Sequence, residues 1–337
     1  MKKLLALLLT LIFVLGITAC TSDNPVPQIP SSDETESVVP AVETKIVALK
    51  GPTGIGMAKM MEDEAADPDS AYTFTVAAQP TEAVAAVSGG KADIAAVPTN
   101  LAATLYKKTE SGIKMIAINT LGSLYILENG DTINSFADLR GKTIYATGQG
   151  ANPEYVLNYL LEKNGLKVGT DVKIEFKGEH AELATLMAAG ECVLGMLPEP
   201  NVSSAMAQNP ALRIALNLNE EWNKVADEGS RLTMGCVIVR KEFLDAHPDE
   251  VARFITKLEA SIKYANENAT ETGALCEKYG IVPKAALATK AIPNCNLNLI
   301  KGADMKGAIE AYFGVLHTAN PTSVGGAVPD ENFYYVP

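Results

Sequence analysis

The 337-residue chain carries 28 basic against 40 acidic side chains, a formal net charge of −12. No basic patch is available to neutralise a phosphate backbone, which argues against nucleic acid as a partner, and acidity of this kind bears on solubility more than on ligand choice. His180, His247 and His317 lie far apart with no ligand spacing, so neither a metal site nor a cofactor is expected.

Residues 1–19 read as a targeting segment: Lys2 and Lys3, an apolar run over 4–15, then Ile17-Thr18-Ala19-Cys20. The run is too short to span a bilayer and fits a secretory signal peptide. The tetrapeptide resembles a bacterial lipobox, which implies cleavage before Cys20 and acylation there, palmitate included; the plainer alternative is an ordinary signal with a chance cysteine. Residues 20–44 hold Pro25, Pro27, Pro30 and Pro40 among polar residues and predict a disordered tether, roughly 25–30 Å long as a flexible coil. A lipid-bearing cysteine on such a leash describes a domain held beside a cell membrane, on its extracytoplasmic face.

From residue 45 strands alternate with helices. Strands are expected at 46–49, 72–78, 93–97 and 113–119, with helices at 57–66, 82–87 and 101–107. This rhythm predicts a parallel, doubly wound sheet. Residues 119–122 interrupt it, and a crossing into a second lobe is expected there. That lobe has strands at 124–128, 143–146, 172–176, 193–197 and 213–218, and helices from 154, at 181–189 and at 202–208. Near 219–231 the pattern dissolves into polar residues, where the return crossing is expected. A strand at 233–240, an amphipathic helix at 248–266 and further helices to 319 complete the first lobe. The tail over 321–337 reads as loop, but Phe333, Tyr334 and Tyr335 need cover and are expected to pin the chain's end onto that lobe. The fold class is therefore α/β: two doubly wound lobes around a cleft, with lobe 1 formed by 45–119 plus 230–337 and lobe 2 by 120–229.

Two glycine turns join strand to helix, Gly51-Pro-Thr-Gly-Ile-Gly56 and Gly148-Gln-Gly-Ala-Asn-Pro153. Each is followed some fifty residues later by a second strand–helix junction containing proline, Val97-Pro-Thr-Asn100 and Leu197-Pro-Glu-Pro200. Backbone N–H groups at such turns lack intrahelical partners and share the positive helix end, so they suit an anionic or hydrogen-bond-accepting ligand. Candidate contacts are Gly51, Pro52, Thr53, Gly54, Pro98, Thr99 and Asn100 in the first lobe. In the second they are Thr147, Gly148, Gln149, Ala151, Asn152, Leu197, Pro198 and Glu199. Thr53, Thr99, Asn100 and Asn152 also suit plain helix caps, the commoner role for such residues. Glu199 is the one acidic member, either a partner for a ligand amine or a solvated charge. No arginine lies in these loops, so a bidentate guanidinium clamp is not expected, and a small polar or zwitterionic ligand fits best. Tyr125, Tyr145 and Trp222 are candidates to stack on it, against the alternative of core or lobe surface.

Of the remaining cysteines, Cys276 and Cys295 are the pair placed to meet, as a disulfide of an exported protein or as two free thiols, whereas Cys192 and Cys236 sit in strand patterns as buried thiols. His247 before Pro248 fits a helix cap, and His180 sits at a strand–helix turn. An enzyme is the opposing hypothesis. The Gly148 turn falls short of a dinucleotide fingerprint, and no nucleophile elbow, Walker lysine or paired-carboxylate motif appears.

Asp138-Leu-Arg-Gly-Lys-Thr-Ile144, the glycine turn after it, Ala188-Ala-Gly-Glu191 with Leu197-Pro-Glu-Pro200, and Val239-Arg-Lys-Glu-Phe-Leu-Asp-Ala-His-Pro248 resemble the substrate-binding lipoproteins of ABC importers in the sulfonate, taurine, nitrate and thiamine-precursor group. The likeness covers roughly 45–315 and departs at Glu191-Cys192, where an acidic residue is usual before the next strand. It implies a type II periplasmic-binding-protein-like fold, closure on a small molecule about hinges at 119–122 and near 228–231, and delivery to a membrane permease and its ATPase by a monomer. Cytosolic enzymes of thiamine or menaquinone biosynthesis share this plan, and a ligand-sensing surface lipoprotein would share every feature above.

Overall fold

Along residues 42–337, the part of the chain that this computed structural model describes, strands and helices alternate into two sheets. The targeting segment and most of the tether lie outside the described residues. In chain order the first run is β1 (Thr44–Leu49), α1 (Pro52–Ile55), α2 (Ala58–Ala66), β2 (Tyr72–Ala77), α3 (Pro80–Ser88), β3 (Ile94–Pro98), α4 (Thr99–Lys108) and β4 (Ile113–Leu121). The second is β5 (Leu124–Asn129), β6 (Thr143–Ala146), α5 (Asn152–Lys163), β7 (Lys173–Phe176), α6 (His180–Ala188), β8 (Leu194–Pro198), α7 (Asn201–Gln208), β9 (Leu212–Asn217) and α8 (Leu218–Val225). The chain then returns through β10 (Thr233–Arg240), α9 (Lys241–Ala246), α10 (Pro248–Glu267), α11 (Ala269–Lys278), α12 (Ala285–Ala291), β11 (Leu297–Ile300) and α13 (Asp304–Ala319).

The sheet orders are β11-β4-β10-β3-β1-β2 and β7-β6-β8-β5-β9. Set side by side, β4-β10-β3-β1-β2 and β9-β5-β8-β6-β7 are one topology used twice. The sheets are mixed rather than parallel throughout: β10 pairs antiparallel with β3 and β4, and β5 antiparallel with β8 and β9. Both reversed strands are the first that the chain lays down after entering from the other lobe. A strand arriving from outside runs against strands that were reached through helical crossovers. Thr44, expected at the end of the tether, already pairs with Tyr72 in β1.

The first crossing is shorter than expected, only Gly122 and Ser123, because Asn119, Thr120 and Leu121 continue β4. The stretch expected to be irregular after 218 contains α8. Leu218 and Trp222 on one face are buried, and the Asn217 side chain accepts from the Asn219 N–H at the helix start. The two crossings meet: a Cβ on Gly122 would lie 2.7 Å from the Leu232 side chain and 2.9 Å from that of Asn219. β11 was not legible in the sequence; it is a short edge strand with two ladder pairs to β4.

One apolar core runs through both lobes, from Val47 and Val97 to Leu157 and Leu216, while two others cover the outer faces of the sheets. The tail docks on the first sheet, where Tyr334 bridges Met115 and the Tyr335 N–H donates to the Met115 carbonyl (2.9 Å). Phe333 is buried with its ring 5.0 Å from that of Tyr106.

Cys276 and Cys295 are free thiols, so of the two alternatives the disulfide is not formed. Both sit fully buried in one apolar core, where burial pushes the Cys276 thiol up to about 12 and the Cys295 thiol well above its ordinary value. They pack as small apolar groups.

Candidate functional site

A cavity of about 320 Å³ opens between the lobes, over the C-terminal ends of the strands that carry the glycine turns. Lobe 1 contributes Pro52, Thr53, Pro98, Asn100, Leu101, Thr120 and Met234; lobe 2 contributes Ala151, Asn152, Pro153, Pro198 and Glu199; Ser123 lies at the crossing. Residues from both glycine turns and both proline junctions thus share one space.

The first turn combines a left-handed Gly51 (φ 89°) with close packing at Gly54. A Cβ on Gly54 would come within 1.9 Å of the Leu49 carbonyl oxygen, and Asn119 Nδ2 donates to the Thr53 carbonyl (2.8 Å). Gly235 opposite makes room for Thr53, since a Cβ there would meet Thr53 Oγ1 at 2.6 Å. The second turn is fixed by backbone conformation. Gly148 and Gly150 have φ of 75° and 72°, the left-handed region that favours glycine. The Glu154 carboxylate accepts from the Gly150 N–H (2.6 Å), and the Tyr155 hydroxyl donates to the Gly150 carbonyl (2.6 Å).

α5 starts from Ala151 and α4 from Pro98, neither with a side-chain cap. Pro153 has no N–H, so α5 leaves the Asn152 and Glu154 amides, and α4 the amides of its first turn, without an intrahelical partner beside the cavity. α7 is different: Glu199 turns back onto its own helix, accepting from the Ser203 N–H (3.1 Å) and hydroxyl (2.9 Å). From lobe 1, Asn294 Nδ2 donates to the same carboxylate at 3.0 Å. Burial pushes the Glu199 carboxyl up, while these three donors favour its ionised form. It is 2% exposed, so it is a buried, bonded carboxylate rather than the solvated charge of the alternative reading.

Glu199 is the one ionisable side chain in the cavity lining. Asn152 is also buried, and its Oδ1 has no partner among the described residues. A buried amide oxygen without a donor costs about 1–3 kcal/mol, and a ligand donor would remove that cost.

The other predicted contacts lie outside the lining. Thr99 is fully buried with its hydroxyl donating to the Thr233 carbonyl (2.7 Å), and Leu197 faces the outer core of lobe 2. Thr147 is buried and bonded to His180, whose imidazole burial pulls down in pKa. Gly51 gives its N–H to the Ile281 carbonyl (3.1 Å) and Gly54 is pressed on Leu49. Gly148 packs against Pro153, while Gln149 is exposed.

None of the stacking candidates lines the cavity. Trp222 is core, its ring 4.8 Å from Tyr159 and its Nε1–H donating to Ser230 Oγ (3.2 Å). Tyr125 donates to the Asn294 carbonyl (2.6 Å), and Tyr145 carries the Lys177 ammonium over its ring at 5.3 Å. His247 sits at the start of α10 but makes no side-chain capping bond; its ring packs 5.1 Å from Phe243. Sequence reasoning missed Leu101, Thr120, Ser123, Pro153 and Met234. Leu101 and Pro153 directly follow predicted contacts, whereas Met234 faces the cavity only because β10 is the reversed strand.

A family model described as "ABC transporter, phosphonate, periplasmic substrate-binding protein" matches residues 56–282. The chain belongs to this family. Its members are the solute-capturing components of ABC importers and work outside the cytoplasm; they bind solutes rather than transform them. No helix among the described residues is long and apolar enough to cross a membrane. No curated protein matches the chain. An ABC transporter protein from Parabacteroides distasonis is 24% identical over 87% of this chain and 98% of its own, with a TM-score of 0.72. The periplasmic aliphatic sulphonate-binding protein SsuA from Escherichia coli is 16% identical over 88% and 93%, with a TM-score of 0.68. The periplasmic nitrate-binding protein NrtA from Synechocystis PCC 6803 is 14% identical over 79% and 74%, with a TM-score of 0.51. These likenesses establish the type II periplasmic-binding-protein fold.

Proposed function

We propose that the interlobe cavity takes a small zwitterion, an aminoalkyl-phosphonate or -sulfonate, with its acid group toward the starts of α4 and α5 and its ammonium toward Glu199. The observation that carries this reading is one buried carboxylate, with no basic side chain, facing two uncapped helix starts. Magnitudes decide against a plain anion. An anion roughly 5 Å from an ionised Glu199 is repelled by about 3 kcal/mol at an effective dielectric of 20. Each helix start returns only about 0.3–2 kcal/mol. An ammonium placed between acid group and Glu199 converts that repulsion into attraction. Asn152, Thr53, Asn100 and Ser123 complete the polar contacts, while Pro52, Pro98, Pro198 and Met234 line the body of the ligand.

In this reading residues 1–19 direct export, Cys20 carries the lipid, and 20–44 tether a monomer to the membrane beside a permease and its ATPase. The lobes, 45–119 with 230–337 and 120–229, close on the ligand about the paired crossings. A two-lobed biosynthetic enzyme or a sensor has no specific feature in its favour. A Cys20→Ser variant should leave the membrane fraction and lose palmitate labelling; retention of both would refute the anchor.

Thermal-shift screening of matched pairs tests the ligand class: 2-aminoethylphosphonate against ethylphosphonate, and 2-aminoethanesulfonate against ethanesulfonate. At a hundred times its Kd a ligand adds about 2.7 kcal/mol. The amine-bearing member of at least one pair should stabilise more than its partner, and the reverse order in both would refute a zwitterion.

A further inference from the structure

Glu199 belongs to lobe 2, but one of its three donors does not. Asn294 comes from the turn between α12 and β11, on the lobe 1 side, and lies outside the cavity lining. Its Nδ2 donates to Glu199 Oε1 at 3.0 Å, and its own carbonyl accepts from the Tyr125 hydroxyl at 2.6 Å, so it is tied to lobe 2 at both ends. Two residues on, Asn296 is held in a left-handed conformation (φ 47°) and its side chain donates to the Gly122 carbonyl at the crossing. The amide is therefore anchored close to where the lobes join.

We propose that Asn294 is a positioning residue that sets ligand specificity by fixing the Glu199 carboxylate from the opposite lobe. Ser203 Oγ and Asn294 both bond Oε1, which leaves Oε2 with the Ser203 N–H alone and free lone-pair capacity for a ligand ammonium. The titratable groups facing this carboxylate are the Tyr125 phenol and the Cys295 thiol, and its charge pushes both further up. Neither supplies a positive charge. With no cation near it among the described residues, Asn294 is one of three donors that favour the ionised form of this buried carboxylate, and of those three the one that comes from the other lobe. The specificity arm rests on the zwitterion reading above; the positioning arm does not.

The test combines selective carboxyl-carbon NMR of Glu199 with titration calorimetry on the full chain, comparing wild type, Asn294→Ala, Asn294→Gln and Tyr125→Phe. The Glu199 signal is identified by its loss in Glu199→Gln. Asn294→Ala should move the Glu199 midpoint to higher pH and weaken 2-aminoethylphosphonate about tenfold, leaving ethylphosphonate unchanged or tighter. Asn294→Gln should recover part of both effects, and Tyr125→Phe should reproduce them more weakly, which keeps the test open if the alanine variant misfolds. An unmoved Glu199 midpoint in a folded Asn294→Ala or Tyr125→Phe protein overturns the proposal. If the midpoint moves but wild type binds both phosphonates equally, the zwitterion reading fails and the positioning role stands.

Discussion

The proline junctions at 98–100 and at 198–199 occupy the same place in two copies of one topology, yet they treat the helix that follows in opposite ways. In lobe 1 the chain passes from Pro98 into α4 without a cap, and the first amides of the helix stay open to the cavity. In lobe 2 Glu199 folds its carboxylate over the start of α7 and takes the Ser203 N–H for itself. The repeated topology supplies four helix starts around one space; in the proposed reading a single acidic residue makes one of them suit a cation where the others suit an anion. On that reading the asymmetry between the two junctions is a matter of one side chain and its donors, not of architecture.

That comparison can be broken first at the cavity itself. Thr53→Trp and Asn152→Trp each fill the shared space from one lobe, and each should abolish ligand binding, a loss of at least about a hundredfold by calorimetry. Full affinity in both variants would mean that the ligand sits elsewhere. The two glycine turns should then respond differently in urea unfolding. Gly54→Ala drives a methyl into the Leu49 carbonyl and should cost about 3 kcal/mol. Gly150→Ala meets open space and bears only the left-handed backbone, about 1 kcal/mol. Equal costs would show that packing at Gly54 and backbone conformation at Gly150 do not differ as described.

Replacing Glu199 with Gln sharpens the comparison by making the lobe 2 junction uncharged like that of lobe 1. Removing a charge-assisted bond should weaken an amine-bearing ligand about tenfold to a hundredfold and spare its amine-free analogue. A smaller effect concerns stability. Burial lifts the Glu199 carboxyl above its ordinary 4.5 in the folded protein. Its favourable contribution is therefore complete below that ordinary value and is lost as pH rises through the raised one. The Tm of Glu199→Gln should gain on wild type as pH rises above that ordinary value, and a constant difference would contradict the burial argument.

Much of this was legible in the sequence because the signals are local. Strand–turn–helix rhythm, glycine turns and proline junctions follow from short-range pattern, and Pro52, Thr53, Pro98, Asn100, Ala151, Asn152, Pro198 and Glu199 all line the cavity as the turns predict. What failed needed information about neighbours. Thr99 and Asn100 are adjacent polar residues at one helix start, and only the approach of Thr233 decides that the first is consumed inside. For Trp222 the sequence leaves stacking, core and lobe surface open, because the polar residues around it mask a one-sided helix whose apolar face meets Tyr159 and Tyr312. Asn294 had no signal at all, since its role depends on a partner 95 positions away.

The central claim is that Glu199 selects for an ammonium. Titration of 2-aminoethylphosphonate and ethylphosphonate into wild type and Glu199→Gln, under one buffer and salt, measures this as a ratio of ratios. The account predicts that wild type prefers the amine-bearing ligand by about tenfold or more and that the preference disappears in the glutamine variant. A preference that survives the substitution unchanged, or one for ethylphosphonate in wild type, would contradict it.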